Sequence, residues 1–283
     1  MKNIGIYAFA DEASPMIDGQ IEAMVRNDLN GLEIRNVDGI NVSEISLEKA
    51  KEVKKKLDES GLSVWSVGSP IGKTDIDGDF NKDIESFKHT LEVAHILNAE
   101  NMRIFSFYMP EGKNPSDYKN EVIDRLGKFA EIADGTGVTL CHENEKGIYG
   151  DIAERCLDIH KALPQIPGVF DPANYVQCGV DTLKAWDMLE EYIKYMHIKD
   201  SMPNGSVVPS GFGAGNVKEI VHKYINKGGS VFTIEPHLAV FDGLSDLERE
   251  GEKSNISKFV YKTNDESFDA ACNAFKDILV GVS

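Results

Sequence analysis

A chain of 283 residues with 41% hydrophobic and 27% charged residues can bury a sizeable core, and this composition is ordinary for a globular protein. Its net charge of −17 opposes contact with nucleic-acid phosphates, so we expect no nucleic-acid partner. Four cysteines without a Cys-x-x-Cys pair argue against a zinc ribbon or a thioredoxin-like motif. The sequence shows neither a signal-peptide apolar core nor a membrane-spanning run, so we expect no membrane partner and a cytoplasmic location.

Short apolar runs alternate along the chain with longer amphipathic stretches. The predicted strands are residues 4–10, 31–35, 62–67, 101–107, 138–143, 168–171, 193–198 and 230–235. The predicted helices are residues 16–26, 46–60, 81–97, 116–135, 152–163, 182–191, 216–226 and 266–279. Eight strands, each followed by a helix, predict an α/β protein with a (β/α)₈ TIM barrel.

A doubly wound sheet is the alternative, but it usually carries a glycine-rich phosphate turn after its first strand. Here Phe9-Ala10-Asp11-Glu12 follows the first strand, which is no such turn. No linker-like change in composition divides the chain, so residues 1–283 are predicted to form a single domain. Residues 242–264 make a long polar segment, for which we expect a lid or an assembly contact.

Four consecutive predicted strands end in a side chain that can bind metal: Glu143, Asp171, His197 and Glu235. In a barrel, the carboxyl ends of all strands face one mouth, and neighbouring strands lie about 4.8 Å apart. These four side chains can therefore meet around one ion. Three carboxylates and one imidazole suit Mn²⁺, Mg²⁺ or Co²⁺, whereas Zn²⁺ with three carboxylates is less usual.

Each of these residues also has an ordinary structural explanation. Asp171 is followed by Pro172, which favours a turn, and a single His197 would be interpreted as a hydrogen-bonded polar residue. Four such residues in succession, each behind an apolar run, make coincidence a poor explanation. Glu33, at the end of the second strand, is a further candidate for the pocket.

At these residues the chain resembles the xylose isomerase-like TIM-barrel superfamily, the sugar-phosphate isomerase/epimerase group. The resemblance covers essentially the whole chain and is strongest between Cys141 and Leu238. The segments that carry it are residues 142–147 (HENEKG), 170–174 (FDPAN), 197–200 (HIKD), 234–237 (IEPH), 31–35 (GLEIR) and 68–73 (GSPIGK). In this order and at these spacings they indicate the superfamily much more strongly than any particular substrate.

The resemblance implies metal ligation by Glu143, Asp171, His197 and Glu235, with Mn²⁺ as the first choice and Mg²⁺, Co²⁺ or Zn²⁺ as alternatives. It also implies that Glu143 and Glu235 flank a small sugar substrate as acid/base groups. A divalent ion then stabilises an enediolate while a carboxylate moves the proton, giving an isomerase or an epimerase. The resemblance further suggests a homodimer or homotetramer.

Five further residues are candidates for contact with the substrate: Lys73, Glu145, Asn174, Lys199 and His237. Glu145, Lys199 and His237 each lie two residues past a proposed ligand and are expected to share its inward direction. The structural alternatives are pairing of Lys199 with Asp200, stabilisation of a turn by Asn174 and a solvated lysine at position 73.

Two of these positions depart from the ketose 3-epimerases of the group. Those enzymes usually carry His three residues after the metal-binding Asp, where this chain has Asn174, and they tend to carry an Arg several residues beyond the metal-binding His. Here Lys199 follows His197 instead. Phe212 and Ala214 also stand where the nearest relatives often have acidic residues. A ketohexose 3-epimerase is therefore disfavoured.

Three other functions compete with the isomerase. A lyase of the keto-inositol or dehydroshikimate dehydratase type would use the same metal and base, followed by loss of a β-hydroxyl. An apurinic-site endonuclease shares the superfamily, but it would need more metal-binding histidines and a basic face, and seven His with a net charge of −17 disfavour it. A non-catalytic sugar-binding or assembly protein is disfavoured by the presence of both Glu143 and Glu235.

Overall fold

The computed structural model describes residues 4–242, 244, 255–256 and 261–281. Eight parallel strands close into a barrel in which each strand pairs with the next in sequence and the last pairs with the first. These strands are β1 (Gly5–Ala8), β2 (Gly31–Ile34), β3 (Ser63–Gly68), β4 (Asn101–Ile104), β5 (Thr139–Glu143), β6 (Gly168–Phe170), β7 (Ile193–Ile198) and β8 (Val231–Ile234). The predicted single-domain (β/α)₈ barrel is confirmed.

Nine helices of the described chain accompany the barrel. They are α1 (Ile17–Arg26), α2 (Leu47–Glu59), α3 (Phe80–Leu97), α4 (Lys119–Ala133), α5 (Ala153–Ala162), α6 (Pro172–Gln177), α7 (Thr182–Leu189), α8 (Val217–Asn226) and α9 (Asn264–Val280). Within the described residues, no helix combines the length and the apolar character needed to cross a membrane.

Side chains alternate between the two faces of each barrel strand, as strand geometry requires. Leu32 and Ile34 of β2 join the large apolar cluster that also contains helix residues such as Val53. Glu33 lies between them in sequence and points the other way, into the barrel, where it meets His197 of β7. The apolar core thus lies between the strands and the helices, and the barrel interior is free to hold polar groups.

Several predicted boundaries were wrong at the mouth of the barrel. The first strand ends at Ala8 rather than at residue 10, because a 3₁₀ turn at Ala10–Glu12 follows it. The fourth ends at Ile104 rather than at residue 107, and Phe107 has a left-handed φ of 65°. Asp171, predicted to end a strand, is the N-cap of the unpredicted helix α6.

Helix ends follow from local capping. The helix predicted over residues 46–60 has Ser46 as its N-cap, since the Ser46 side chain accepts a hydrogen bond from the Lys49 amide. The prediction that Ser116 opens the fourth helix was wrong. Asn114 instead caps a short 3₁₀ segment, and α4 begins three residues after Ser116.

Short strand pairs outside the barrel were not predicted. Residues Asn36–Val37 and Ile40–Asn41 form a hairpin after β2. Residues Asp200–Ser201 and Ser206–Val208 form an antiparallel pair after β7, to which Asn255–Ile256 adds in parallel. Most of the expected lid or assembly segment, residues 242–264, lies outside the described residues.

Two buried histidines make the fold sensitive to acid. Burial lowers the pKa of His142 well below its usual value, and burial also lowers that of His160, against the opposing hydrogen bond to the Ile166 carbonyl. Both rings must therefore stay neutral in the folded protein. The stability that they contribute is complete above the unfolded pKa of about 6.5 and is lost as the pH falls below it.

Replacing His160 by Gln is therefore expected to flatten the pH dependence of stability between about pH 6.5 and pH 5. Each such histidine adds a slope of up to about 1.4 kcal/mol per pH unit. Urea unfolding at several pH values measures this slope, with His95→Gln, at an exposed position, as the matched control. An unchanged slope in His160→Gln would show that His160 is not the group that titrates.

Candidate metal centre

Four residues at or next to the carboxyl ends of consecutive strands come together at the mouth of the barrel. Glu143 ends β5, Asp171 follows β6, His197 lies in β7 and Glu235 follows β8. One potential ligand atom from each lies within 4.8 Å of the corresponding atoms of the others. All four side chains are buried, with at most 5% of any residue exposed. We call this group the four-residue cluster.

His197 lies at the centre of the cluster. Its Nδ1 atom is 2.9 Å from Glu143 Oε1 and 3.5 Å from Glu235 Oε2. Its Nε2 atom faces away from these carboxylates and lies 3.0 Å from Glu33 Oε2. The Phe9 ring packs edge-on against the imidazole, with 5.3 Å between the ring centroids. Both nitrogens and one face of the ring thus have defined neighbours.

Asp171 is fixed by the backbone around it. Its Oδ1 accepts the amide N–H of Asn174, and its own N–H and C=O form two hydrogen bonds with the side-chain amide of Asn144. Asn174 also donates from Nδ2 to Glu143 Oε1 at 3.3 Å and to the Asn144 carbonyl at 2.9 Å. Asn174 therefore stabilises the turn and also contacts the cluster, whereas its predicted contact with the substrate stays a prediction.

Lys199 contacts two members of the cluster. Its Nζ lies 2.9 Å from Glu235 Oε2 and 3.0 Å from Asp171 Oδ2. The predicted alternative, pairing with Asp200, was wrong because the two side chains point in opposite directions. Asp200 accepts the backbone N–H groups of the glycine-rich loop at Gly211, Gly213 and Gly215.

His237 lies beside the cluster and is held by Glu12. Its backbone N–H donates to Glu12 Oε2 at 2.6 Å, and its Nδ1 is 3.0 Å from Glu12 Oε1 and 3.6 Å from Glu235 Oε1. Glu12, Glu235 and His237 are close enough to form a second metal-capable group. Arg35 already forms ion pairs with the carboxylates of Glu12 and Glu235, so its guanidinium balances the negative charge of this second group.

Lys73 and Glu145 pair with each other rather than with the cluster. Lys73 Nζ donates to Glu145 Oε2 at 2.9 Å and lies 4.5 Å from the centroid of the Phe105 ring. Burial raises the pKa of Glu145, but Lys73 and Lys199 outweigh this effect and lower it below its usual value. The prediction of both as substrate contacts stays a prediction.

Sequence reasoning missed two buried arginines that hold the cluster's carboxylates. Arg103 Nη1 lies 3.2 Å from Glu143 Oε2. Arg35 Nη1 lies 3.4 Å from Glu235 Oε1, while its other nitrogens bind Asp11 and Glu12. The sequence feature that could have revealed both arginines is a charged residue at an inward-facing position of an otherwise apolar strand.

The chain matches the family model of the xylose isomerase-like TIM barrel over residues 21–248. It belongs to this family. A search of curated proteins by sequence gives no significant match.

Solved structures agree with the family fold. The IolI protein with a binding zinc atom is 13% identical, with a TM-score of 0.75 and 99% of each chain covered. D-psicose 3-epimerase with D-tagatose from Clostridium cellulolyticum H10 is 15% identical, with a TM-score of 0.71, covering 99% of this chain and 100% of that one. The probable 3-DHS dehydratase AsbF from Bacillus anthracis is 13% identical, with a TM-score of 0.72 and coverages of 97% and 98%. At these identities the likeness shows the fold.

The side chains of this family member fit a divalent cation in the cluster. Glu143 Oε2 and Asp171 Oδ2 are buried and make no hydrogen bond within the described chain; the groups that they face are the cations of Arg103 and Lys199. Oxygen atoms of this kind, together with an imidazole nitrogen, form a donor set for Mn²⁺, Mg²⁺, Co²⁺ or Zn²⁺.

Charge within the cluster is strongly coupled. Burial raises the pKa of Asp171 to about 7; Lys199 opposes this shift, and the carboxylates of Glu235 and Glu143 add to it. Burial also raises the pKa of Glu235, but Lys199, His237 and His197 outweigh burial and hold it well below its usual value. Glu235 is therefore a carboxylate at neutral pH, whereas Asp171 gains or loses a proton near pH 7.

Replacing Lys199 by Met is expected to destabilise the metal-free protein by about 3–5 kcal/mol, because it leaves buried carboxylates without their cation. Saturating Mn²⁺ is then expected to stabilise Lys199→Met more than the wild type, since the ion neutralises the same carboxylates. Thermal unfolding with and without Mn²⁺ measures both effects. Lys227→Met, which removes a partly exposed lysine paired with Glu190 and Glu191, is the control and should cost about 0–1 kcal/mol. Equal Mn²⁺-induced shifts in wild type and Lys199→Met would contradict this account.

Proposed function

We propose that this chain is a divalent-metal-dependent isomerase or epimerase that acts on a sugar or sugar derivative through an enediolate. The observation that carries the proposal is the four-residue cluster, in which three carboxylates and one imidazole converge at the mouth of the barrel. The metal ligands in this proposal are Glu143, Asp171, His197 and Glu235. A bound divalent ion would supply Lewis-acid stabilisation of the negative charge that develops on a substrate carbonyl oxygen.

Glu143 and Glu235 carry the proton transfer in this proposal. Glu235 is ionised because Lys199 and His237 lower its pKa, so it can accept a proton from the carbon next to a carbonyl. Glu143 contacts the same nitrogen of His197 as Glu235 does, but its other partners are Arg103 and Asn174. Removal of the proton by one carboxylate and its return by the other gives an epimer. Its transfer between adjacent carbons gives an aldose–ketose isomer.

The neighbouring polar residues suit a hydroxylated substrate. Lys199 can donate to a substrate oxygen while it pairs with Glu235 and Asp171. Lys73 and Glu145 offer a donor and an acceptor to hydroxyl groups, and His237 offers a ring nitrogen. We propose these residues, with Asn174, as the substrate contacts.

A lyase remains the second candidate. The likeness in fold to a probable 3-DHS dehydratase supports this second candidate. Asn174 stands where ketose 3-epimerases usually carry a histidine. This departure favours a reaction of the intermediate other than epimerisation. Loss of a β-hydroxyl from the enediolate would need the same base and a proton donor, for which Lys199 and His237 are available.

The experiment that tests the function is proton exchange in D₂O. The Mn²⁺-supplemented protein is incubated with ketoses, 3-keto sugars and keto-inositols, and the products are followed by NMR. Deuterium at the carbon next to the carbonyl, with an epimer or an aldose as product, supports the proposal. A dehydrated product supports the lyase, and Mn²⁺-dependent binding of a sugar without exchange would show a non-catalytic sugar-binding protein.

A further inference from the structure

Glu33 is a buried carboxylate that the proposed chemistry does not use. It is fully buried inside the barrel, on β2. Its Oε2 lies 3.0 Å from His197 Nε2. Its Oε1 accepts hydrogen bonds from the Tyr195 hydroxyl at 2.9 Å and from the Ser66 hydroxyl at 3.2 Å. Side chains of β2, β3 and β7 therefore fix this carboxylate in one orientation.

The contact between Glu33 and His197 determines what the imidazole can offer on its other side. A neutral imidazole donates from one nitrogen and presents a lone pair at the other. With a proton on Nε2, the ring donates to Glu33 and directs the Nδ1 lone pair towards Glu143 and Glu235. Without an ion, Nδ1 faces the Glu143 carboxylate as closely as Nε2 faces Glu33, so both nitrogens can carry a proton there. An ion bound in the cluster takes the place of the proton on Nδ1 and leaves the proton on Nε2, which donates to Glu33.

A purely structural role explains Glu33 poorly. Burying a carboxylate in a barrel costs free energy unless its charge and all of its lone pairs are satisfied. An apolar side chain of similar volume would avoid this cost at a position where no solvent reaches. A group that orients a metal ligand, in contrast, must be a hydrogen-bond acceptor at this place.

We propose that Glu33 is a positioning residue that holds His197 as the Nε2–H tautomer, so that Nδ1 can ligate a divalent cation in the four-residue cluster. Glu33 itself lies on the far side of the ring and is not a ligand. The Phe9 ring, packed edge-on against the imidazole, limits rotation of the ring about this hydrogen bond. The proposal rests on the metal centre of the proposed function, and it is independent of which substrate is used.

The test compares Mn²⁺ affinity, measured by calorimetry, in the wild type, Glu33→Gln and Glu33→Ala. We expect Glu33→Ala to bind Mn²⁺ about 100-fold more weakly and Glu33→Gln about 10-fold more weakly, because the amide oxygen can still accept the Nε2–H bond. Tyr195→Phe is the matched control. It removes one hydrogen bond to Glu33 but leaves the contact with His197, so its Mn²⁺ affinity should stay within about threefold of the wild type.

A spectroscopic readout separates positioning from general loss of structure. In the Zn²⁺-loaded wild type with ¹⁵N-labelled histidine, we expect the proton of His197 on Nε2 and the metal-shifted resonance on Nδ1. In Glu33→Ala this pattern should be lost or mixed, while circular dichroism shows that the barrel is intact.

Three outcomes overturn the inference. Equal Mn²⁺ affinity in wild type and Glu33→Ala would remove the role of Glu33 and leave the metal centre in place. A ¹⁵N pattern with the proton on Nδ1 in the wild type would contradict the tautomer. Failure of the wild type to bind Mn²⁺ or Zn²⁺ would overturn both this inference and the proposed metal centre, whereas failure to turn over sugars would affect the proposed function alone.

Discussion

Replacing Glu143 or Glu235 by Gln is expected to lower kcat by about 10²- to 10⁴-fold, even at saturating Mn²⁺, because each variant lacks a group that moves a proton. Glutamine keeps the shape and one oxygen of the side chain but cannot accept a proton at neutral pH. Measurement at saturating metal separates this loss from weakened metal binding, since both residues are also proposed ligands.

The two variants are expected to differ in which epimer of the substrate still exchanges its proton with D₂O. If the two carboxylates act on opposite faces of the substrate, each variant still exchanges the proton of one epimer with D₂O while net epimerisation is lost. Glu145→Gln is the matched control, because it removes a nearby carboxylate that pairs with Lys73 outside the cluster. This control should mainly raise KM. A kcat within tenfold of the wild type in Glu143→Gln or Glu235→Gln would contradict the assigned role.

Removing divalent metal with a chelator is expected to lower turnover by at least about 10³-fold, and Mn²⁺ should restore it. The physical reason is that charge developing on the substrate oxygen would lose its strongest stabilising group. The chelated protein should also unfold at a lower temperature, because three buried carboxylates then depend on Lys199, Arg35 and Arg103 for compensation.

The apparent Mn²⁺ affinity is expected to fall as the pH drops below about 7, because Asp171, with a pKa of about 7, must lose its proton to bind the ion. Calorimetry in buffers of different ionisation enthalpy would detect the released proton. Turnover that survives complete chelation, or affinity that is independent of pH between 5 and 8, would contradict this part of the account.

Local sequence patterns were enough to predict the barrel. Each strand is a short apolar run that is followed by a helix. A closed parallel barrel brings the carboxyl ends of these runs to one mouth. This rule correctly predicted that Glu143, Asp171, His197 and Glu235 converge. What each of them does with a metal or a substrate stays a prediction.

The partners of these four residues could not be read from local patterns. Arg103 meets Glu143 and Arg35 meets Glu235 across strands that are distant in sequence, so their pairing depends on the register and shear of the closed barrel. The helix after Asp171 was missed for a different reason. Pro172 favours a turn and also suits the first residue of a helix, and the Asp171 cap to Asn174 decides between them.

The measurement that tests the central claim most directly is the stoichiometry and affinity of Mn²⁺ binding in the wild type beside Asp171→Asn. Asp171 has no proposed part in proton transfer, and asparagine can keep the N-cap of α6 through its side-chain oxygen, so this variant tests the metal centre without removing a proton-transfer group. We predict one Mn²⁺ per chain in the wild type and binding at least about tenfold weaker in Asp171→Asn. No Mn²⁺ bound by the wild type at neutral pH, or equal binding by the two proteins, would contradict the metal centre and leave the shared strand-end residues without a metal-binding role.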